Sequence, residues 1–138
     1  ASHLKDSKAL FVTSSIDFAG MLSAFECRVY VLGGALKPGT VDIVGAEALD
    51  AIRRYNFTKV FLGTSGVSLS QGFTTPDPEA AALKALAAAR AQSAYMLADS
   101  SKFGRVTAAA ILPLDGAQII TDRLPDRKYL DSTDVIAV

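Results

Sequence analysis

The chain has 138 residues, 50% of them hydrophobic, with 14 Lys and Arg against 14 Asp and Glu, one His and one Cys. That length suits one domain, and a zero net charge offers no field to attract a phosphate backbone or an anionic lipid surface, which argues against a free-standing nucleic-acid binder. Cys27 alone excludes a disulfide framework, no Cys/His spacing suits a metal site, and no apolar run approaches the ~20 residues that span a bilayer, so the chain reads as cytoplasmic.

Ala1-Ser2-His3 lacks an initiator Met and reads as a cloning remnant, with residues 1–8 a leader ahead of one domain over residues 9–138. That sets aside the single histidine. Ala9 to Val12 predicts a strand and Ile16 to Phe25 a helix, followed by a strand over Arg28 to Leu32. Gly45 to Tyr55 predicts a helix whose Ala46, Leu49, Ile52 and Arg53 share one buried stripe. Lys59 to Leu62 is the third strand. The next helix has Asp77 as its cap and Pro78 at its first position, and nine alanines lie between Ala80 and Ala94. Strands follow at Ala94 to Ala98, Val106 to Ile111 and Ala117 to Ile120, then a short helix over Pro125 to Leu130 and a last strand over Asp134 to Val138. This alternation predicts an α/β fold with a mostly parallel sheet.

In open α/β sheets ligands sit beyond the carboxyl ends of the strands. Polar and small residues collect there: Thr13 and Ser14, Gly33 and Gly34, Gly63, Thr64, Ser65 and Gly66, Asp99 to Lys102, then Thr121 and Asp122. Each loop by itself is ordinary turn and cap chemistry, but their common edge predicts a polar crevice. Glycines let backbone N–H groups approach a ligand, hydroxyls add neutral hydrogen bonds, and Lys102 adds a point charge suited to phosphate. The set fits a small phosphorylated sugar or polyol. No dinucleotide or P-loop glycine pattern occurs, and acid/base candidates reduce to Asp99 and Asp122, with Asp99 read as a brace for Lys102 or for its own loop.

The ordered series Val31-Leu32-Gly33-Gly34, Val60 to Val67, Gly72-Phe73-Thr74-Thr75, Leu97 to Gly104 and Ile119 to Asp122 resembles the C-terminal sensor domain of DeoR-type bacterial transcriptional regulators. The resemblance runs from about Ala9 to Val138, and Ala98-Asp99-Ser100-Ser101-Lys102-Phe103-Gly104 is its most specific block. It implies a three-layer α/β fold, a mostly parallel sheet with helices on both faces, similar to the sugar-phosphate isomerases. It also implies a ligand sensor for a sugar phosphate or related phosphorylated metabolite, with no cofactor. The partners it implies are that metabolite, a second copy of the chain in a dimer or tetramer, and DNA only through an N-terminal domain. Ser14 stands where the family has Asn. Glu79 and Lys84 fall where the family carries an acidic residue and a lysine on the helix.

The resemblance also places a strand and a Gly-Thr-Thr phosphate loop ahead of Ala9, and nothing like them precedes that residue, so the domain is expected to be truncated at its N-terminus. The related isomerases carry Asp-Gly-Ala-Asp-Glu after the strand that here ends Phe61-Leu62-Gly63, whereas this chain continues Thr64-Ser65-Gly66. A site that keeps phosphate-binding parts without acid/base carboxylates binds without turnover. Sensor is therefore the preferred reading over an isomerase-like enzyme or an oligomerisation module with a vestigial pocket.

Overall fold

Ser15 opens the first helix because its Oγ accepts from the Phe18 N–H at 3.3 Å, which satisfies one of the amides that a helix start leaves unpaired. The computed structural model describes residues 2–4 and 6–138, and Ala1 of the expected remnant lies outside them. Ser2–Leu4 forms a 3₁₀ turn. The described residues form two compact units, the first ending at Arg54 and the second spanning Tyr55–Val138.

In the first unit, β1 (Leu10–Thr13) pairs in parallel with β2 (Arg28–Val31), and α1 (Ile16–Ala24) connects them. Leu22 of α1 is fully buried. A hairpin that sequence patterning did not reveal follows, β3 (Ala35–Leu36) antiparallel to β4 (Ile43–Val44). Two-residue strands are too short to show a period. Helix α2 (Ala46–Ile52) stops before the expected Tyr55. Its buried residues are Ala48 and Ile52; Ala46 and Arg53, expected in the stripe, are exposed, and Arg53 pairs with Asp50 at 2.7 Å.

The second unit holds a four-stranded parallel sheet in the order β11 (Val135–Ala137), β10 (Gln118–Thr121), β8 (Ala91–Leu97), β5 (Phe57–Gly63). A three-stranded antiparallel sheet follows the order β6 (Gly66–Ser68), β7 (Gly72–Thr75), β9 (Ala109–Leu112). Sequence patterning showed no strand at β6 or β7, because every residue of both is buried and no polar alternation marks them. The strand expected over Val106 to Ile111 begins only at Ala109 and belongs to this antiparallel sheet. Helix α3 (Pro78–Ala89) lies against strands of both sheets.

Asp77 caps α3 through its Oδ1, which accepts from the Glu79 N–H at 3.1 Å. The alanine run would support a longer helix, yet α3 ends at Ala89 and β8 begins at Ala91. Arg90 explains the stop. Its Nε donates to the Tyr55 carbonyl at 3.0 Å, its Nη2 to Asn56 Oδ1 at 2.8 Å, and its carbonyl accepts from the Phe57 N–H at 2.9 Å. These three bonds tie the start of β8 to the start of β5. Phe73, Met96, Ile119 and Val67 are fully buried in this unit, each side chain contributing about 1.5–3 kcal/mol of hydrophobic stabilisation. Among the described residues the chain is α/β, with mostly parallel sheet pairing and three α-helices, as the sequence leads one to expect. No helix among the described residues is long and apolar enough to cross a membrane.

Candidate functional site

In the first unit, Thr13 ends β1 and Ser14 follows it, while Gly33 and Gly34 follow β2, so the parallel pairing places all four at one carboxyl edge. The Thr13 carbonyl accepts from the Leu32 N–H at 3.0 Å, and the Thr13 hydroxyl accepts from the Ser15 N–H at 3.1 Å. The Ser14 carbonyl accepts from the Ile43 N–H at 2.8 Å. The paired glycines serve different ends. A Cβ on Gly34, whose φ is +146°, would stand 2.9 Å from Ile43 Cγ2 and 2.9 Å from the Val44 carbonyl oxygen, so the protein's own packing demands glycine there. A Cβ on Gly33 would meet nothing within 4 Å, which leaves its backbone open to a ligand.

In the second unit, the ends of β5, β8 and β10 form another carboxyl edge. Gly63 closes β5, and its carbonyl accepts from Lys84 Nζ of α3 at 2.8 Å. A Cβ on Gly63 would meet nothing within 4 Å, so this glycine too is open. Thr64 is buried, its single hydroxyl proton shared between the Gly66 and Thr74 carbonyls, both at 2.9 Å, while the Ser65 N–H donates to the Thr74 carbonyl at 3.0 Å. Thr64 therefore locks the turn. Glu79 is exposed in the first turn of α3.

The loop after β8 is a 3₁₀ turn, Ser100–Lys102, capped by Asp99. Asp99 Oδ1 accepts from the Ser101 N–H at 2.9 Å and also from the Ser101 hydroxyl. Asp122 Oδ1, at the end of β10, accepts from the Ser100 N–H at 2.7 Å and from the Arg123 N–H at 2.9 Å. These bonds favour the ionised carboxylates. The Ser101 hydroxyl and N–H, aided by the charge of Lys102, hold Asp99 below its ordinary value, and the Ser100 N–H does the same for Asp122. No group of three or more His, Cys, Asp or Glu among the described residues could hold a metal ion.

The DeoR C-terminal sensor domain model matches residues 1–123. The chain belongs to this family. It is 43% identical over 137 residues to the "Uncharacterized HTH-type transcriptional regulator FruR" of Bacillus subtilis, covering 97% of the chain and 55% of that regulator. It is 33% identical over 138 residues to the HTH-type transcriptional regulator GlpR of Haloferax volcanii, covering 97% of the chain and 54% of the relative. With the lactose phosphotransferase system repressor of Streptococcus mutans it shares 31% identity over 102 residues, 73% of the chain and 40% of the repressor. The sensor domain thus spans about half the length of the first two regulators.

Within the sensor domain, Gly63, Lys84, Asp99 and Lys102 come to one edge, with Thr64, Ser65 and Gly66 continuing from Gly63. Thr13, Ser14, Gly33 and Gly34 form the edge of their own unit. Glu79 makes no hydrogen bond by its side chain to either set among the described residues. Sequence reasoning passed over three residues that shape the site. Thr74 joins the Thr64 turn to the Thr107 N–H, which its Oγ1 accepts at 2.9 Å, while Phe103 and Tyr129 pack beside the Lys102 loop. The Gly72-Phe73-Thr74-Thr75 motif was a signal for the first; Tyr129 carried none.

The carboxylates of the sensor domain give a pH test. A folded-state pKa below the ordinary 3.8 means that the loop's bonds are complete above about pH 3.8 and are lost as pH falls through the lower folded value. The amide proton resonances of Ser100 and Ser101 are expected to titrate with midpoints below 3.8 in an NMR series. Midpoints at or above that value would contradict the bracing roles of Asp99 and Asp122.

Proposed function

We propose that this sensor domain binds a sugar phosphate or related phosphorylated metabolite at the carboxyl edge of its strands, and that binding controls how the parent regulator grips DNA. One observation carries the reading: Gly63, with open space where a Cβ would stand, ends β5 opposite Leu97 of β8, and the turn that follows β8 carries Lys102 and is braced by Asp99 and Asp122. A lysine on a braced turn near accessible backbone suits a phosphate, and neighbouring hydroxyls suit a polyol. The names of the relatives, all transcriptional regulators and one a repressor of a lactose phosphotransferase system, support the regulatory part. The full regulator acts in the cytoplasm as a dimer or tetramer, the arrangement that paired DNA half-sites call for.

Asp99 and Asp122 support binding without turnover. Asp99 accepts hydrogen bonds from its own loop and Asp122 from the Ser100 N–H of the neighbouring loop, and each is held ionised, whereas a proton-transferring carboxylate works best with a pKa near the operating pH. The test is a thermal shift panel of phosphorylated pentoses and hexoses beside their unphosphorylated parents. A cognate ligand at 100 times its Kd is expected to add about 2.7 kcal/mol of stability, and the free sugar none. A flat panel from a protein that stays oligomeric would replace sensing with an assembly role. Repeated aldose–ketose turnover would replace it with an isomerase.

A further inference from the structure

Lys102 is followed by Phe103 and Gly104, and both are held by one residue of β6. Phe103 forms a parallel bridge to Val67, and the Gly104 N–H donates to the Val67 carbonyl at 2.7 Å. That same carbonyl accepts from the hydroxyl of Tyr129 at 3.4 Å. The Tyr129 ring is 5% exposed and meets Phe103 edge-on, with centroids 4.9 Å apart and planes at 83°. Edge-to-face contact is the favoured geometry of an aromatic pair, and it fixes the angle of one ring against the other.

The 3₁₀ turn that carries Tyr129, Arg127–Asp131, is itself pinned. Asp126 Oδ1 accepts from the Lys128 N–H at 2.9 Å, and Thr133 donates its hydroxyl to the Ala117 carbonyl at 2.6 Å. The Lys102 loop thus has two independent attachments. Asp122 holds its beginning through Ser100, and the Val67–Phe103–Tyr129 cluster holds its end. Bonds inside the loop set its shape, whereas these attachments set where it stands. A lysine holds phosphate as a point charge on a flexible stem, so the strength of the contact depends on where the stem is anchored.

We infer that Tyr129 is a positioning residue: together with Phe103 and Val67 it fixes the Ser100–Lys102 turn, and so the Lys102 ammonium, beside the Gly63–Gly66 strand end. The functional half of this assignment rests on Lys102 being the phosphate-holding residue. Tyr129 meets the loop through the Phe103 ring and the Val67 carbonyl, and acts through them.

The test separates the loop from the ligand. Amide hydrogen exchange is measured by NMR in the wild type, Tyr129→Phe, Tyr129→Ala and the control Met96→Ala, whose side chain is fully buried in the parallel sheet. Tyr129→Phe keeps the ring and loses the hydroxyl, and is expected to speed exchange at Gly104 by about threefold; Tyr129→Ala is expected to speed it by about tenfold or more at Gly104 and Lys102. Exchange at Ile119 stays at its wild-type rate in Tyr129→Phe. In parallel, binding of inorganic phosphate, used as the probe, is expected to weaken about tenfold in Tyr129→Ala and to stay unchanged in Met96→Ala well below its melting temperature. If Tyr129→Ala fails to fold, Tyr129→Phe decides. Unchanged exchange at Gly104 in Tyr129→Phe and Tyr129→Ala would overturn the assignment. Faster loop exchange in a protein whose wild type binds neither phosphate nor any sugar phosphate would uphold the positioning of the loop and overturn only the phosphate reading.

Discussion

Gly66→Ala is expected to destabilise the protein by about 3 kcal/mol, measured by urea or thermal unfolding. The added Cβ would stand 2.4 Å from the Arg105 carbonyl oxygen, 3.0 Å from the Arg105 carbonyl carbon and 2.7 Å from Thr74 Oγ1. None of these atoms is the free end of a flexible side chain. Arg105 meets it with backbone, and Thr74 is 2% exposed with its hydroxyl engaged by the Thr107 N–H. Relief therefore requires β6 to shift from both the Arg105 backbone and Thr74 of β7, which strains the Thr64 and Ser65 bonds to the Thr74 carbonyl. Gly63→Ala is the matched control. Its Cβ meets nothing within 4 Å, so the change in stability is expected to stay within about 0.5 kcal/mol. A Gly66→Ala protein that unfolds with the wild type would show that the turn is loosely packed, contrary to the geometry.

Lys102→Ala is expected to weaken binding of the sugar phosphate returned by the thermal shift panel by about tenfold to a hundredfold, or ~1.5–3 kcal/mol for a charge-assisted hydrogen bond. Stability without ligand is expected to change by no more than about 0.5 kcal/mol, because the loop is shaped by Asp99, Asp122 and backbone bonds rather than by the lysine side chain. Isothermal titration calorimetry of the variant against the wild type reads the first quantity and unfolding without ligand reads the second. Affinity should also fall with added salt in the wild type and much less so in Lys102→Ala, since the lost contact is the charged one. Equal affinities would remove Lys102 from the site. Lys102→Arg is expected to restore part of the binding, as charge returns but the planar fork differs in shape from an ammonium.

The contrast between Gly63 and Gly66 shows how far a sequence motif can be read. In the string Gly63-Thr64-Ser65-Gly66 both glycines look alike, and both invite the idea of close approach to a ligand. The fold separates them: Gly63 faces open space, whereas Gly66 is pressed against Arg105 and Thr74. Gly33 and Gly34 divide in the same way, with Gly34 filled by Ile43 and Val44. Likewise Thr64, a hydroxyl that suits a ligand on paper, spends its proton on turn carbonyls. Asp99 braces its own loop through Ser101, one of the two structural roles its position allowed.

Local chemistry was legible along the chain because its signals are local. The Ser15 and Asp77 caps, Pro78 at the head of α3, and the β-branched runs of β5 and β10 depend on neighbours a few residues away. So did the strand-end placement of the Asp99–Lys102 loop and the mostly parallel character of the sheet, which the alternation of strands and helices implies. Tertiary contact decided the rest. Arg90 ends an alanine-rich helix by bonding to Tyr55 and Asn56, more than thirty positions away. The strands β6 and β7 exist because they are buried on both faces, which removes the alternation that would announce them. Tyr129 reaches Val67 across 62 positions. Spacing in the sequence carries no record of such encounters, because long-range packing is selected by shape and burial rather than by period. The composition and motifs of this chain were enough to identify a sensor domain with a polar strand-end edge, and the packing alone determined which of its glycines, hydroxyls and carboxylates the protein itself engages.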